Sequence, residues 1–444
     1  MKPLPRLLPF YCALYYAFVL TDGSFNLFAP QFVGLSFNSM LQHMLAGQVD
    51  VDPAVIGYEG FARDGRVYAY FGPFCALLRL PLLPFGVMRL DITVLSSAIA
   101  FGLAGWLKLR MIVRLCDRFP DSPNRALLRA LLIAALLFGG AQIGLLRASI
   151  FQEAIAWADV FALAFVTVAL EGLLENRFDA ARLRWMALAA MFALLTRVSA
   201  GVGLYTALGL LVLLRWPGWR ALPNAALLLG IGMVVVLSLN FLRWGNALEF
   251  QPLRYYLTAQ VFAPERLTRI AEYGAFNAAR IPFGLQYYFL PVWVLPDGAG
   301  GLLLSATRDR LLDAAELPPS SFLLTDTLAL LLGIYATWRR RANLAILLGL
   351  GVAPLLMLAL YSMNHRYRME FDPLFTLLGL LGAATLLRAP QPLRSGMRRA
   401  LIAATIIGML GSQATLALYQ RSPFGPGERH LHHGLAGLYL GGKD

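Results

Sequence analysis

The sequence predicts an all-α polytopic membrane protein with about eleven transmembrane helices and interfacial helices in its first large outer loop. Three observations predict the many-span body. Hydrophobic residues make up 58% of the 444 and charged residues only 14%, where a soluble domain carries roughly 25% charged and 45–50% apolar residues. The excess is gathered into long apolar runs, the pattern of membrane spans. The basic residues, finally, segregate to short connections on one side.

The runs fall at about 7–20, 92–113, 126–146, 154–174, 183–196, 199–214, 221–241, 322–337, 343–360, 373–388 and 400–418. The first follows Lys2 and Arg6, and no small-residue cleavage site follows it at Thr21-Asp22-Gly23, so it reads as a retained span. The stretch 183–214 is interrupted by Thr196-Arg197-Val198-Ser199, which suits a turn at the outer face. Together the runs form a single transmembrane domain over 1–420. Two outer segments, 21–91 and 242–321, are too long for plain connections, and loops of that length are usually functional. In the first, 32–46 is apolar on one face and carries Asn38, Gln42 and His43 elsewhere, the pattern of a helix in the interface. A second such piece around 71–87 is broken by Pro73, Pro81 and Pro84. The tail 421–444, rich in Gly, Pro and His, is expected outside. Cys12, Cys75 and Cys116 are scattered without metal or disulfide spacing.

The inner segments (2–6, 108–129, 171–184, 215–220, 339–341 and 388–399) hold 20 Lys and Arg against five acids, while the outer segments hold 18 of each. Asp159 and Asp326 fall inside spans. Short basic connections mark the cytoplasmic side, so the N-terminus is expected inside. The formal charge of +13 is then a topology signal and requires no nucleic acid.

Acids on the outer side are the main chemical clue. Asp22, Asp50, Asp52, Glu59 and Asp64 lie in the first outer segment, and Glu153 lies in the short outer loop between the third and fourth runs, where it opens the fourth. Carboxylates at a membrane surface serve as general bases, bind a metal, or are merely solvated. At a helix N-terminus Glu153 is also stabilised simply by the helix dipole. Asp159, a turn and a half deeper, is costly in a span and is expected to face a cavity or a partner. On the basic side, Asn364-His365-Arg366-Tyr367-Arg368 ends a span, and Arg197 sits at the same level. Arg forks bind phosphate bidentately; the alternative is snorkelling to lipid head groups. No Walker loop, GxGxxG, HExxH or GxSxG motif is present.

Five stretches resemble the GT-C superfamily of membrane glycosyltransferases, which includes protein O-mannosyltransferases and the aminoarabinose transferases of lipid A. Leu41 to Asp50 (LQHMLAGQVD) resembles the first interfacial helix and its acidic exit. Arg63 to Pro73 (RDGRVYAYFGP), with Leu78-Arg79-Leu80-Pro81, resembles "DG-x-Y-Y-x-GP…LLxLP" and brings in Tyr70. Leu194-Leu195-Thr196-Arg197 resembles "LxTR", and Asn240 to Asn246 (NFLRWGN) resembles "N-x-x-R-F-G-N/S" and brings in Arg243. His365-Arg366-Tyr367 followed by Asp372-Pro373-Leu374 resembles the late "RY…P" motif.

The resemblance implies an inverting transferase that takes a sugar from a polyprenyl-phosphate carrier on the periplasmic face of a bacterial inner membrane. A lipid, glycan or protein is the acceptor. It implies catalytic acids among Asp22, Asp50, Asp52 and Glu153, a donor phosphate held by Arg366, Tyr367, Arg197 and His365, and a substrate cavity with Glu59, Asp64, Tyr70, Asp159 and Arg243. The family's acid pair before the interfacial helix is absent, because Gln31 to Ser36 has no carboxylate, so the base stays open among the first-loop acids. A cofactor is open as well; Mg²⁺ or Mn²⁺ is held by one or two carboxylates plus the donor phosphate where such enzymes use one. The rival readings are a lipid-linked glycan polymerase or ligase, a transporter or flippase of lipid-linked glycans, and a non-catalytic membrane scaffold.

Overall fold

In the computed structural model, residues 7–146, 148–290, 311, 321–336 and 341–419 are described. The expected tail 421–444, Lys2, Arg6, Arg339 and Arg340 of the inner connections, and most of 291–320 in the second outer segment lie outside them.

The chain opens with α1 (Leu8–Leu20) and an outer segment containing α2 (Ser36–Leu45), α3 (Pro53–Ile56), a hairpin of β1 (Phe61–Arg63) and β2 (Arg66–Tyr68), and the short α4 (Phe74–Leu77). The helical body follows as α5 (Thr93–Asp117), α6 (Arg125–Phe138), α7 (Ile150–Glu175), α8 (Ala180–Thr196), α9 (Val198–Leu214) and α10 (Pro223–Trp244). The second outer segment supplies α11 (Leu257–Phe262), α12 (Pro264–Tyr273) and α13 (Ile281–Phe289). The described chain closes with α14 (Phe322–Thr325), α15 (Thr327–Gly333), α16 (Arg341–Leu350), α17 (Val352–Ala359), α18 (Asp372–Leu387) and α19 (Ser395–Tyr419).

This is an integral membrane protein. Among the described residues five helical stretches are long and apolar enough to cross a bilayer: Ile150–Glu175, Pro223–Trp244, Arg341–Ala359, His365–Leu387 and Ser395–Leu416. The other expected runs also contain helix, but in shorter or more charged pieces. Helix α7 is the central post. Ser149 caps it through its Oγ, which accepts from the Phe151 and Gln152 amides, and Asn176 ends it in the left-handed conformation at φ 54°. It packs between α5 and α8, and it is apolar all round because it is buried all round. Helix α10 is the opposite case: it leans on α8 and leaves Leu227, Val234 and Phe241 exposed, a lipid-facing surface.

Two expected runs are broken where apolar patterning was continuous. The run 126–146 stops being α-helical at Phe138 and continues as a 3-10 stretch, Gly140–Leu146. A Cβ on Gly140 would stand 2.1 Å from the Asp326 carboxylate, so the break admits an acid. The run 322–337 is interrupted at that same Asp326, between α14 and α15. The interruption expected at Thr196-Arg197 is present: Arg197 is extended (φ −149°, ψ 118°) between α8 and α9.

The outer segments form one layer above the helices. Helix α2 is no surface helix; Phe37, Met40 and Leu41 are buried in a cluster with Ile56, Phe71, Cys75 and Ile150. The hairpin turns on Asp64 (φ 51°) and Gly65 (φ 74°), the residue pair and conformation of a two-residue type I′ loop. Tyr256 stacks on Phe61 at 5.0 Å and the Leu257 amide donates to the Gly60 carbonyl, tying the second segment to the first.

Candidate functional site

Between this outer layer and the helix ends lies a hollow of about 270 Å³. Its lower walls are apolar: Leu194 of α8, Val202 of α9, Val236 and Leu239 of α10, and Leu356 of α17. Its rim is polar and mostly basic or hydroxylic, with Tyr70, Arg197, Ser199, Arg243, Tyr361 and Tyr367. No carboxylate is among the described lining residues. The α8–α9 break presents Arg197 and Ser199 here, and the C-terminal turn of α10 presents Arg243 before Gly245 (φ 73°) reverses the chain.

The two rim arginines differ in charge balance. The Arg197 Nε bonds the Glu370 carboxylate, and Ser199 Oγ donates to the same Glu370 oxygen at 2.8 Å. Its guanidinium lies 5.3 Å from the Tyr367 ring centre. Arg243 is 3% exposed. Its Nη1 donates to the Phe71 carbonyl at 2.9 Å, its Nε has no hydrogen-bond partner, and no carboxylate pairs with it among the described residues. Arg366 covers the Phe151 ring at 4.6 Å and the Tyr367 ring at 5.4 Å. Burial pushes the Tyr70 hydroxyl above its ordinary range, against the pull of Arg366 nearby, and burial also raises Tyr361. These phenols are therefore hydrogen-bond donors at every physiological pH.

Of the residues expected at a site, Tyr70, Arg197, Arg243 and Tyr367 line the hollow together. His365 is buried in the 3-10 stretch His365–Phe371. The acids are elsewhere. Glu153, expected as an accessible base, is fully buried and bound by Arg79, whose Nη2 donates to Oε2 at 2.8 Å and whose Nη1 bonds Oε1. The Arg79 guanidinium also reaches the Cys75 carbonyl at 3.1 Å, so the pair is a closed knot under the outer layer. Asp22 is exposed in the left-handed turn after α1. Asp50 faces His43 Nδ1 at 2.9 Å and Arg66 at 3.6 Å. Asp52 caps α3 through the Ala54 amide. Glu59 accepts from the Tyr256 hydroxyl at 2.8 Å, and with burial this pushes that phenol up to about 12. Asp64 is taken up by the hairpin turn beside Arg63 at 3.0 Å. Asp159, expected in the substrate cavity, faces two small interior cavities instead. The expected meeting of Glu153 and the first-segment acids with an arginine in one hollow is therefore replaced by a hollow of cations and hydroxyls.

Sequence reasoning missed Glu370, Ser199, Tyr361 and the partner role of Arg79. Glu370 lies between the "RY" and Asp372-Pro373 parts of the late motif and carried no separate signal. Among the described residues no group of three or more His, Cys, Asp or Glu is placed to hold a metal ion.

No family profile and no curated protein matches the chain. The structural neighbours are archaeal oligosaccharyltransferases. One is AglB from Archaeoglobus fulgidus in complex with an inhibitory peptide and a dolichol-phosphate, with a TM-score of 0.45 and 13% identity over 95% of this chain and 56% of that one. Another is the Archaeoglobus fulgidus enzyme tethered to an acceptor peptide containing the NVT sequon, with a TM-score of 0.43 and 14% identity over 96% of this chain and 56% of that one. The chain thus spans just over half the length of these neighbours.

Proposed function

We propose that the chain is a membrane glycosyltransferase that takes a sugar from a polyprenyl-phosphate carrier in this hollow. The observation that carries the reading is Arg243, a buried cation on the hollow with no carboxylate partner among the described residues. A buried charge without a counter-charge is costly, and an entering phosphate supplies one. A guanidinium suits that group because its planar fork matches two phosphate oxygens. Arg197 adds a guanidinium at the same rim, Arg366 stands behind it over the Tyr367 ring, and the Tyr70, Tyr361 and Tyr367 hydroxyls add donors. The apolar walls below, from Leu194 to Leu356, suit the first isoprene units.

In the proposed reaction the acceptor hydroxyl oxygen attacks the anomeric carbon from the side opposite the phosphate. The bond from that carbon to the phosphate oxygen breaks, the configuration inverts, and the polyprenyl phosphate leaves with the electron pair. The acceptor proton passes to a base. Glu370, which accepts from the Ser199 Oγ of the hollow at 2.8 Å, is the base proposed for it. His365 lies buried in the 3-10 stretch that carries Arg366 and Tyr367. The outer segments 21–91 and 242–321 would sit on the non-cytoplasmic side of a bacterial inner membrane, over one transmembrane domain, 1–420, with the N-terminus inside and the tail 421–444 outside.

The test is transfer by the purified chain from a radiolabelled polyprenyl-phosphate sugar. Arg243→Ala is expected to lower kcat/KM by about 10²–10³-fold, the usual loss for one preorganised donor to developing charge, and Arg243→Lys to restore part of it. Full activity in Arg243→Ala would remove the phosphate assignment. Turnover only with a pyrophosphate-linked oligosaccharide would favour the polymerase or ligase reading. Movement of glycan across vesicles without a new glycosidic bond would favour a flippase.

A further inference from the structure

Deeper in the helical body, three carboxylates and two basic side chains surround a cavity of about 30 Å³, room for a single water. Lys108 of α5 donates to Asp372 Oδ1 at 2.7 Å. Arg368 faces Asp326 Oδ2 at 3.5 Å and donates to Thr325 Oγ1 at 2.6 Å. The third acid, Asp159 of α7, is 7% exposed and lines the cavity, yet its Oδ1 has no hydrogen-bond partner. Among the described residues Asp372 Oδ2 has none either, and Asp159 and Asp372 line the same small cavity.

The other polar groups around Asp159 leave it uncompensated. The Tyr16 hydroxyl of α1 also lines the cavity, but it donates to the Leu137 carbonyl at 2.7 Å. Glu370, across a second small cavity that Asp159 also lines, is already held by Arg197 and Ser199. Among the described residues, three acids against Lys108 and Arg368 leave one net negative charge among packed helices, where an unpaired charge is expensive.

We propose that this cluster is a proton-binding site, in which one proton is held between Asp159 and Asp372. The proton turns two acceptors that otherwise repel into a donor and an acceptor, satisfies both orphan oxygens, and makes the five-group cluster neutral. Lys108, counted from the sequence as an inner-surface base, instead belongs to this interior set at 2% exposure.

Infrared difference spectroscopy of the purified chain in lipid tests this at neutral pH, independently of any transfer activity. The wild type is expected to show the carbonyl stretch of a protonated carboxylic acid. Asp159→Asn leaves two carboxylates for two cations and is expected to lose that band. Asp372→Asn, in which Lys108 re-pairs with Asp159, loses it by the same count and serves if Asp159→Asn does not fold. Lys108→Met, with two excess acids, is expected to strengthen the band. A wild type without the band overturns the proposal, and sodium-dependent thermal stability would then point to a metal cation. A band that survives in both Asn variants overturns it as well.

Discussion

Glu153 and Arg79 grip each other through both carboxylate oxygens with neither side chain exposed, and Arg79 also lies 5.1 Å over the Phe37 ring. A pair so closed positions the outer layer on α7 and leaves no oxygen for a substrate. Removing one partner of a buried pair strands the other charge, at a cost of about 3–5 kcal/mol, whereas apolar replacement of both is often neutral. Glu153→Gln is therefore expected to lower the thermal midpoint sharply in detergent, and Arg79→Met/Glu153→Leu to recover most of it. Normal stability with lost transfer in Glu153→Gln would instead return Glu153 to the reaction. The sequence made the N-terminal placement of Glu153 legible, since Ser149 and the apolar run behind it set the helix start. Its partner was not legible: Arg79 lies 74 positions away, and nothing local distinguishes it from a loop base. Arg243 was legible only as part of a weak motif, and its unpaired state is a property of the packing.

At the scale of elements, close helix approach depends on a few glycines whose role is steric. Gly349 of α16 lies against α9 so tightly that a Cβ would stand 2.2 Å from the Ala207 Cα, while a Cβ on Gly209, two residues further along α9, meets nothing within 4 Å. In membranes such small-residue contacts carry helix association, because apolar burial alone distinguishes poorly between protein and lipid. Gly349→Ala is expected to destabilise the chain by forcing α9 and α16 apart. Gly209→Ala is expected to be neutral or stabilising by up to about 1 kcal/mol, the helix-propensity difference. Thermal unfolding of the two variants side by side checks the sign; equal losses would mean the α9–α16 contact contributes little. Hydrophobic periodicity located these helices but not their breaks. The Gly139-Gly140 and Asp326 interruptions occur together because the glycine backbone makes space for the acid, a long-range pairing that a local pattern does not contain. The hairpin was within reach, since Asp64-Gly65 is a strong turn signal, but its three-residue strands are too short for alternation to register.

At the scale of the whole molecule, orientation decides which face presents the hollow. Arg243, Tyr70 and the exposed Asp52 belong to the same outer layer, while Asp121 lies in the basic connection between α5 and α6. The positive-inside asymmetry was legible from composition because it needs only the ends of the runs, not their packing, and the loss of Lys108 to the interior leaves it intact. It predicts that the Asp121 side is cytoplasmic. The native thiols at Cys12, Cys75 and Cys116 are all buried, so single cysteines placed at exposed Asp22, Asp52 and Asp121 can be read against a low background. A membrane-impermeant maleimide added to intact cells is expected to label Asp22→Cys and Asp52→Cys, and to label Asp121→Cys only after permeabilisation. The reverse pattern would place the hollow in the cytoplasm, among nucleotide-linked sugars, and a carrier-linked donor would lose its reason. Labelling of all three in intact cells would show that Asp121 and Asp52 lie on one side, and the single crossing by α5 that separates them would have to be given up.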